Sequence, residues 1–455
     1  MEKTSDYVPD ELLLKIFIRI SDLPSLIQCT TVCKIWYSLI TQNQFIPNFV
    51  QLLNHKPRRR YNNENDDDEI IMPYTILFRN KMRCTYFPKQ FYQVYSGESK
   101  IIHEDIMKQK HTYDTDDERH WPWECGCLSE IRATFHDMLL VMSACFEREF
   151  YICNPLTKKR INLPYPPLSN SRLVCLYGLV AKPKIEYDHG ANNIDELYNY
   201  KVVILEHSCY RNRDMVRVLT FCSNTREWSS YTFSYSSLSP TNWGSIENDE
   251  SFSIKEPVTS SKGNIYWLLT IGNYMGVYKV KGIISCNPFR EETDPKRLRF
   301  IEFPKGCVET HGVNYRKRIC IGIVRGRLRL SLIKSDGVGF FRLRIWEFDD
   351  DDDDDGELWC LVHDVRIRKT VKMNQTFVLA FHPNNPNVIF LSLKYRLYIY
   401  EVKEDKYRFH GRFPKLTHYK YVMKNNLHNC LGVFTLLHPP SSIPKPPHPS
   451  PWYMH

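Results

Sequence analysis

The chain has 455 residues, with 61 Lys or Arg against 52 Asp or Glu for a formal net charge of +9, and it is rich in Tyr (28), Phe (24) and Trp (9) but poor in Gly (18). That length holds about two to three domains with a large core, and no apolar run approaches the ~18 residues that a membrane span needs. The basic excess is modest and interspersed with acidic residues, so neither a membrane nor a nucleic acid is expected as partner.

The chain opens with Glu, Lys and Asp rather than a signal sequence. A cytoplasmic and/or nuclear protein is expected, with its 15 Cys reduced. Residues 8–40 read VPDELLLKIFIRISDLPSLIQCTTVCKIWYSLI. Pro9 suits the start of a helix, and Asp10 and Glu11 meet the positive end of its dipole. Leu12, Leu13, Ile16, Phe17 and Ile20 recur at helical spacing. Ser21, Asp22 and Pro24 restart a second helix buried through Leu26, Ile27 and Cys29. A third carries Val32, Cys33, Trp36, Leu39 and Ile40. Three short helices in ~40 residues cannot bury so much apolar surface alone, and Leu14, Ile18 and Ile35 widen the stripes further. The pattern fits either a docking face or a helical cap packed on the rest of the chain.

The order Val8-Pro9-Asp10-Glu11-Leu12, Ile16-Phe17, Val32-Cys33-Lys34-x-Trp36 and Leu39-Ile40 resembles an F-box, with Val8 standing where Leu is usual and a slightly longer connection at Ser21–Pro24. The resemblance covers about a tenth of the chain. It implies docking on the Skp-type adaptor of a Skp–cullin–F-box ubiquitin ligase, with the cullin reached indirectly. The adaptor-binding positions it implies are Val8, Pro9, Leu12, Leu13, Ile16, Phe17, Leu26, Val32, Cys33 and Trp36.

An amphipathic helix is expected over 45–55, completing a head of residues 1–55. Residues 56–72 switch from Lys56-Pro57-Arg58-Arg59-Arg60 to an acidic run and read as a charged linker. From 73 to 437 short apolar and aromatic runs alternate with polar turns, which predicts an all-β body. Within it a unit of strand, polar turn and aromatic recurs: Tyr151–Thr157, Thr220–Trp228, Ile284–Pro288, Arg344–Trp359 and Tyr398–Tyr407. The units lie roughly 55–70 residues apart, near the spacing of propeller blades. Further strands are expected at 137–143, 200–205, 263–268, 321–333 and 387–393. Residues 74–95 supply a sixth unit, or pair with 431–436 to close the ring and remove an open sheet edge. Residues 96–130 and 349–356 read as loop insertions, the second an aspartate run, and 438–455 as a Pro-rich disordered tail.

The Cys-Asn-Pro-x-Thr turn at 153–157 with Leu163-Pro164, Tyr200-Lys-Val-Val203, Gly263-x-x-Tyr266-Trp267 and Arg325-Gly326-x-Leu328 are similar to the plant-type F-box-associated domain, a propeller-like relative of kelch repeats. The paired glycines of true kelch repeats are missing. The fold class expected is therefore mainly β with a small α N-terminal module, a three-helix F-box followed by a β-propeller-like domain.

Catalytic signatures are absent from the sequence: there is no His-Glu-x-x-His, P-loop, Gly-x-Gly-x-x-Gly or Gly-x-Ser-x-Gly. His120, Cys125, Cys127 and His136 are irregularly spaced for zinc, and the aspartate run lacks calcium-loop spacing. No cofactor, metal or enzymatic activity is expected. The reading is a target-recruiting ligase subunit, its target unknown and held by the propeller. The alternative is a propeller-based carbohydrate- or small-ligand-binding protein or enzyme with a structural helical cap.

Overall fold

Runs such as Met138–Met142 (MLLVM) and Val388–Leu393 (VIFLSL) are buried at every position. A strand apolar on both faces must be covered on both faces, and stacking of sheet against sheet around a ring meets that demand. The computed structural model describes residues 8–20, 25–26, 29–30, 32–40, 42, 45, 49, 74–80, 92–96, 130–142, 149–155, 159–168, 174–183, 198–207, 215–234, 250–254, 256–260, 262–273, 278–291, 294, 297–307, 319–336, 339–349, 359–368, 376–393, 396–412 and 431–438.

The head contributes the two helices among the described residues, α1 (Asp10–Phe17) and α2 (Lys34–Ile40). The expected middle helix lies mostly outside the described residues, with Ser25, Leu26 and Cys29 helical where they are described. The linker 56–72, residues 97–129, the aspartates after Asp349 and the chain beyond His438 lie outside the described residues, as does most of the helix expected over 45–55.

The body opens with β1 (Tyr74–Asn80) and β2 (Tyr92–Ser96). Blade 1 follows as β3 (Glu130–Phe135), β4 (Met138–Met142), β5 (Phe150–Asn154) and β6 (Lys159–Leu163). Blade 2 is β7 (Val174–Pro183), β8 (Tyr198–His207), β9 (Met215–Cys222) and β10 (Glu227–Ser234). In blade 3, β11 (Glu250–Ile254) and β12 (Val258–Thr259) both pair with β13 (Ile265–Asn273), ahead of β14 (Tyr278–Cys286) and β15 (Leu298–Ile301). Blade 4 is β16 (Ile319–Val324), β17 (Arg327–Ser335), β18 (Phe340–Phe348) and β19 (Trp359–Arg368). Blade 5 is β20 (Thr376–Phe381), β21 (Val388–Leu393), β22 (Arg396–Glu401) and β23 (Lys406–Arg412). All these neighbours run antiparallel. Finally β24 (Leu431–Leu437) returns to pair with β1, from Tyr74↔Leu437 to Asn80↔Leu431, in a sheet ordered β2-β1-β24.

The two outcomes weighed for residues 74–95 are thus one: they form a sixth sheet, and they do so by pairing with the C-terminal strand. Five blades are made of consecutive strands and the sixth sheet of the two ends. The five repeat units are the third strands β5, β9, β14, β18 and β22 with the turns that follow. The run 321–333, expected as one strand, is a hairpin, because Arg325 (φ 49) and Gly326 (φ 73) take the left-handed turn conformation between β16 and β17. Boundaries also shift slightly: Glu130 belongs to β3 rather than an insertion, and His438 is buried in the body rather than in a tail.

Seams between sheets are held by apolar clusters and by indole N–H bonds. Trp228 Nε1 donates to the carbonyl of Pro164 in the preceding blade at 2.9 Å, and Trp359 Nε1 to that of Glu302 at 2.8 Å. Each of these Trp residues faces an aromatic directly across its hairpin, Phe221 at 5.4 Å and Phe348 at 5.0 Å between ring centroids, and Tyr407 faces Tyr400 in the same way at 4.6 Å. Trp267 Nε1 donates to Tyr177 O at 2.8 Å. Beside it Gly178 leaves no room for a side chain: a Cβ there would lie 2.8 Å from both Ile265 Cδ1 and Trp267 Cζ2, and both residues are fully buried. Gly178→Ala should therefore cost about 1–3 kcal/mol by overpacking the seam, read as a lower denaturant midpoint with unchanged slope.

The seam between the sixth sheet and blade 1 carries two histidines. Leu437 N donates to His136 O at 3.1 Å and Thr134 Oγ1 to Thr435 O at 3.1 Å, while Thr75 Oγ1 and His438 Nε2 share a 2.8 Å hydrogen bond. His136 (φ 50) stacks on Phe135, and among the described residues neither of its ring nitrogens meets a hydrogen-bond partner. Burial pushes His136 down to about 4; burial, then the neighbouring His136, pushes His438 down to about 3. Both rings are neutral in the fold, whereas the unfolded chain takes up protons below their ordinary value of 6.5. Stability present above pH 6.5 is consequently lost as pH falls, by about 1.4 kcal/mol per pH unit per histidine until each folded-state value is reached. Urea midpoints measured between pH 7 and pH 4 should fall less steeply in His136→Asn and His438→Gln than in the parent chain.

Candidate functional site

α1 begins immediately after Pro9, whose extended backbone (φ −55, ψ 141) ends the non-helical lead and whose carbonyl accepts from Leu12 N at 2.9 Å and Leu13 N at 3.2 Å. Asp10 and Glu11 in the first turn and Lys15 in the last complement the helix dipole. Along the helix the apolar stripe splits. Leu13 and Phe17 are buried, whereas Leu12 (49% exposed) and Ile16 (53%), one turn apart on the same face, stand in solvent. The cause of the split is α2. Trp36 is half-buried and meets Phe17 edge-on with ring centroids 5.0 Å apart, and Phe45 meets Phe17 from another side at 6.4 Å. Leu39 and Ile40 complete the buried side.

The ten positions expected to bind a partner are therefore of three kinds. Val8, Pro9, Leu12, Ile16 and Val32 (59% exposed) are open to solvent. Cys33 and Trp36 are half-buried. Leu13, Phe17 and Leu26 are buried and shape the head from within rather than present a surface. Ile18 and Ile35, which widen the stripe in sequence, are exposed as well. Sequence spacing alone does not separate exposed from buried positions, because Leu12 with Ile16 and Leu13 with Phe17 are both apolar pairs four residues apart.

The buried side of the head is not isolated. Leu13, Phe17, Leu26, Leu39, Ile40 and Phe49 belong to one hydrophobic cluster with Leu77 of β1, Leu139 of β4 and Phe434 of β24. Head, sixth sheet and blade 1 thus share a core. Leu13→Ala should lower stability by about 2–4 kcal/mol, while Leu12→Ala and Ile16→Ala should each stay within about 0.5 kcal/mol, as measured by chemical denaturation.

In the body, the Cys-Asn-Pro turns place asparagines in buried bonds. Asn154 donates to the Asp137 carboxylate, and Asn287 Nδ2 donates to Asn264 Oδ1 at 2.9 Å while its Oδ1 accepts from Phe289 N at 3.1 Å. These motifs fix blade turns. Burial pushes the Cys153, Cys286 and Cys307 thiols up to about 12, so they stay protonated at neutral pH and are poor nucleophiles. Among the described residues no group of three or more His, Cys, Asp or Glu could hold a metal ion. His120, Cys125 and Cys127 lie outside the described residues. Among the described residues no helix is long and apolar enough to cross a membrane.

Comparison with known proteins adds family to this geometry. A family model described as "F-box protein At3g26010-like, beta-propeller" matches residues 128–431, and one described as F-box-like matches residues 6–46. No curated protein matches. Among solved structures, one titled "YCF48 bound to D1 peptide" is similar at 10% identity and a TM-score of 0.30, over 62% of this chain and 66% of that one. The Dos1 propeller is similar at 12% identity and a TM-score of 0.29, over 63% and 60%. A Penicillium chrysogenum alpha-L-arabinanase complexed with arabinobiose is similar at 11% identity and a TM-score of 0.31, over 60% and 77%. The chain spans less than two thirds of the first two.

Proposed function

The chain belongs to the family of F-box proteins with an At3g26010-like β-propeller, and on that premise we propose that it is the target-recruiting subunit of a Skp–cullin–F-box ubiquitin ligase. The head docks on a Skp-type adaptor, the propeller holds the target, and the chain performs no catalysis of its own in the cytosol and/or nucleus. The observation that carries this reading is the division of α1: Leu12 and Ile16 are exposed on a helix whose Leu13 and Phe17 are buried. Exposed aliphatic side chains held in place by a packed underside form a surface fit for a helical partner.

The shared core of head and propeller supports the mechanism. Ubiquitin transfer by proximity depends on a high effective concentration of the target lysine near the activated ubiquitin, and a stiff connection preserves it. The cluster joining Phe17 and Leu39 to Leu139 and Phe434 supplies that stiffness.

Capture of a purified Skp-type adaptor by the full chain tests the proposal. Leu12→Asp with Ile16→Asp should reduce capture at least about tenfold, a loss of 1.4 kcal/mol or more, while the unfolding midpoint of the body is unchanged. Full capture by that variant, or none by the parent chain, would overturn it.

A further inference from the structure

Two lysines between blades 2 and 3 face no carboxylate partner among the described residues. Val180 of β7 lies opposite Lys201 of β8, and Lys201 lies opposite Cys222 of β9, so Lys182, two residues beyond Val180, shares a sheet face with Lys201. That face meets the turn after β14. Lys182 Nζ stands 4.5 Å and Lys201 Nζ 5.3 Å from the centroid of the half-buried Phe289 ring, and Lys201 Nζ donates to Pro288 O at 2.8 Å. Gly263 (φ +91), in a backbone conformation that favours glycine, lies beside the turn: a Cβ there would touch Phe289 Cδ2 at 3.4 Å and Val180 Cγ2 at 3.8 Å, ordinary contacts. Arg297 closes the corner, its guanidinium 4.8 Å from the Tyr231 ring centroid and its Nη1 3.2 Å from Arg290 O.

Among the described residues neither lysine is in a salt bridge, and the charged neighbours acting on Lys201 include two cations, Arg297 and Lys182, and no carboxylate. Nearby Arg290 is neutralised by Asp294 at 2.8 Å, and the exposed Arg366 and Lys406 elsewhere have Asp336 and Glu404. Like charges gathered over an aromatic ring and a buried turn oppose folding, and an incoming anion relieves them. Backbone and ring contacts hold both ammonium groups in place beforehand, which lowers the ordering cost of binding.

We infer that Lys182 and Lys201, over Phe289, form a binding site for an anionic side chain of a target peptide, a carboxylate or a phosphate. This rests on the propeller being the target-binding part of the molecule and names the chemistry it reads there.

The test uses the full chain with fluorescein-labelled peptides: one bearing consecutive Asp, one bearing a single phosphoserine among uncharged residues, and an uncharged blank. Lys182→Ala with Lys201→Ala should weaken binding of at least one anionic peptide about tenfold or more, Lys182→Arg with Lys201→Arg should restore most of it, and salt should weaken it. The stronger peptide identifies the anion. Arg366→Ala with Lys406→Ala removes the same net charge and should leave affinity unchanged. The double-alanine variant should keep its unfolding midpoint and its capture of the Skp-type adaptor, which separates failure at this site from failure of the ligase reading. No binding of either anionic peptide, an equal loss in the charge-matched control, or lysine-dependent binding of a DNA or RNA oligonucleotide in place of the peptides would overturn the inference.

Discussion

Pairing of β1 with β24 is the constraint on which the rest of the molecule depends. Seven residue pairs, Tyr74↔Leu437 through Asn80↔Leu431, tie the two ends of the body into one sheet. Without them, β3 of blade 1 and the outer face of blade 5 would each lose a packed neighbour. With them, β1 buries Tyr74, Ile76 and Phe78 against Phe377 and Phe390 of blade 5, while Leu77, on the opposite face of the same strand, joins the cluster of blade 1 and the head. A strand's alternating faces thus serve both neighbours at once. Pairing through the termini also covers the edges that β1 and β24 would otherwise leave unpaired toward each other.

The same economy runs through the blades. Each third strand ends in a turn that must reverse the chain and seal the seam to the previous blade. In blades 2 and 4 one Trp meets both needs, packing its ring on Phe221 or Phe348 and sending its N–H to a carbonyl of the preceding blade. In blades 1 and 3 the turn is instead pinned by Asn154 or Asn287, whose amides satisfy buried partners that would otherwise be costly. Blade 5 uses Tyr400 and Tyr407, and Tyr400 Oη donates to Asp405 at 2.9 Å. Different side chains meet one geometric demand, which is why the repeat shows weakly in sequence.

That weakness sets what can be read in advance. Third strands were legible because their turn residues (Asn-Pro, Asn-Thr, Glu-Asp) and the aromatics after them are distinctive. First strands such as β7 and β20 carry no such punctuation, and the polar insertion read over 96–130 takes in Glu130, the first residue of β3. The hairpin of β16 and β17 looked like one strand because Arg at a left-handed turn position is not a turn signal, although the Gly326 that follows it is. In the head, residue identities named the family, yet spacing could not tell Leu12 from Leu13; Trp36, by covering Phe17, decides which side is core. The Lys182–Lys201 corner had no sequence signal, since its parts lie on β7, on β8 and in the turn after β14.

Two surfaces stand out because each keeps a feature that folding alone would remove. On α1, Leu12 and Ile16 remain in water although the neighbouring Leu13 and Phe17 show that burial is within reach of the same helix. Between blades 2 and 3, Lys182 and Lys201 have no salt bridge among the described residues, where Arg290, Arg366 and Lys406 each have one. Local violations of otherwise consistent folding rules concentrate where binding is selected. The apolar one calls for a protein face that buries aliphatic side chains, the cationic one for an anion, and the core shared by the head, the sixth sheet and blade 1 ties the first surface to the body that carries the second. A partner at one surface and a target at the other would then be held in a set relation, which is the physical requirement of a recruiting subunit.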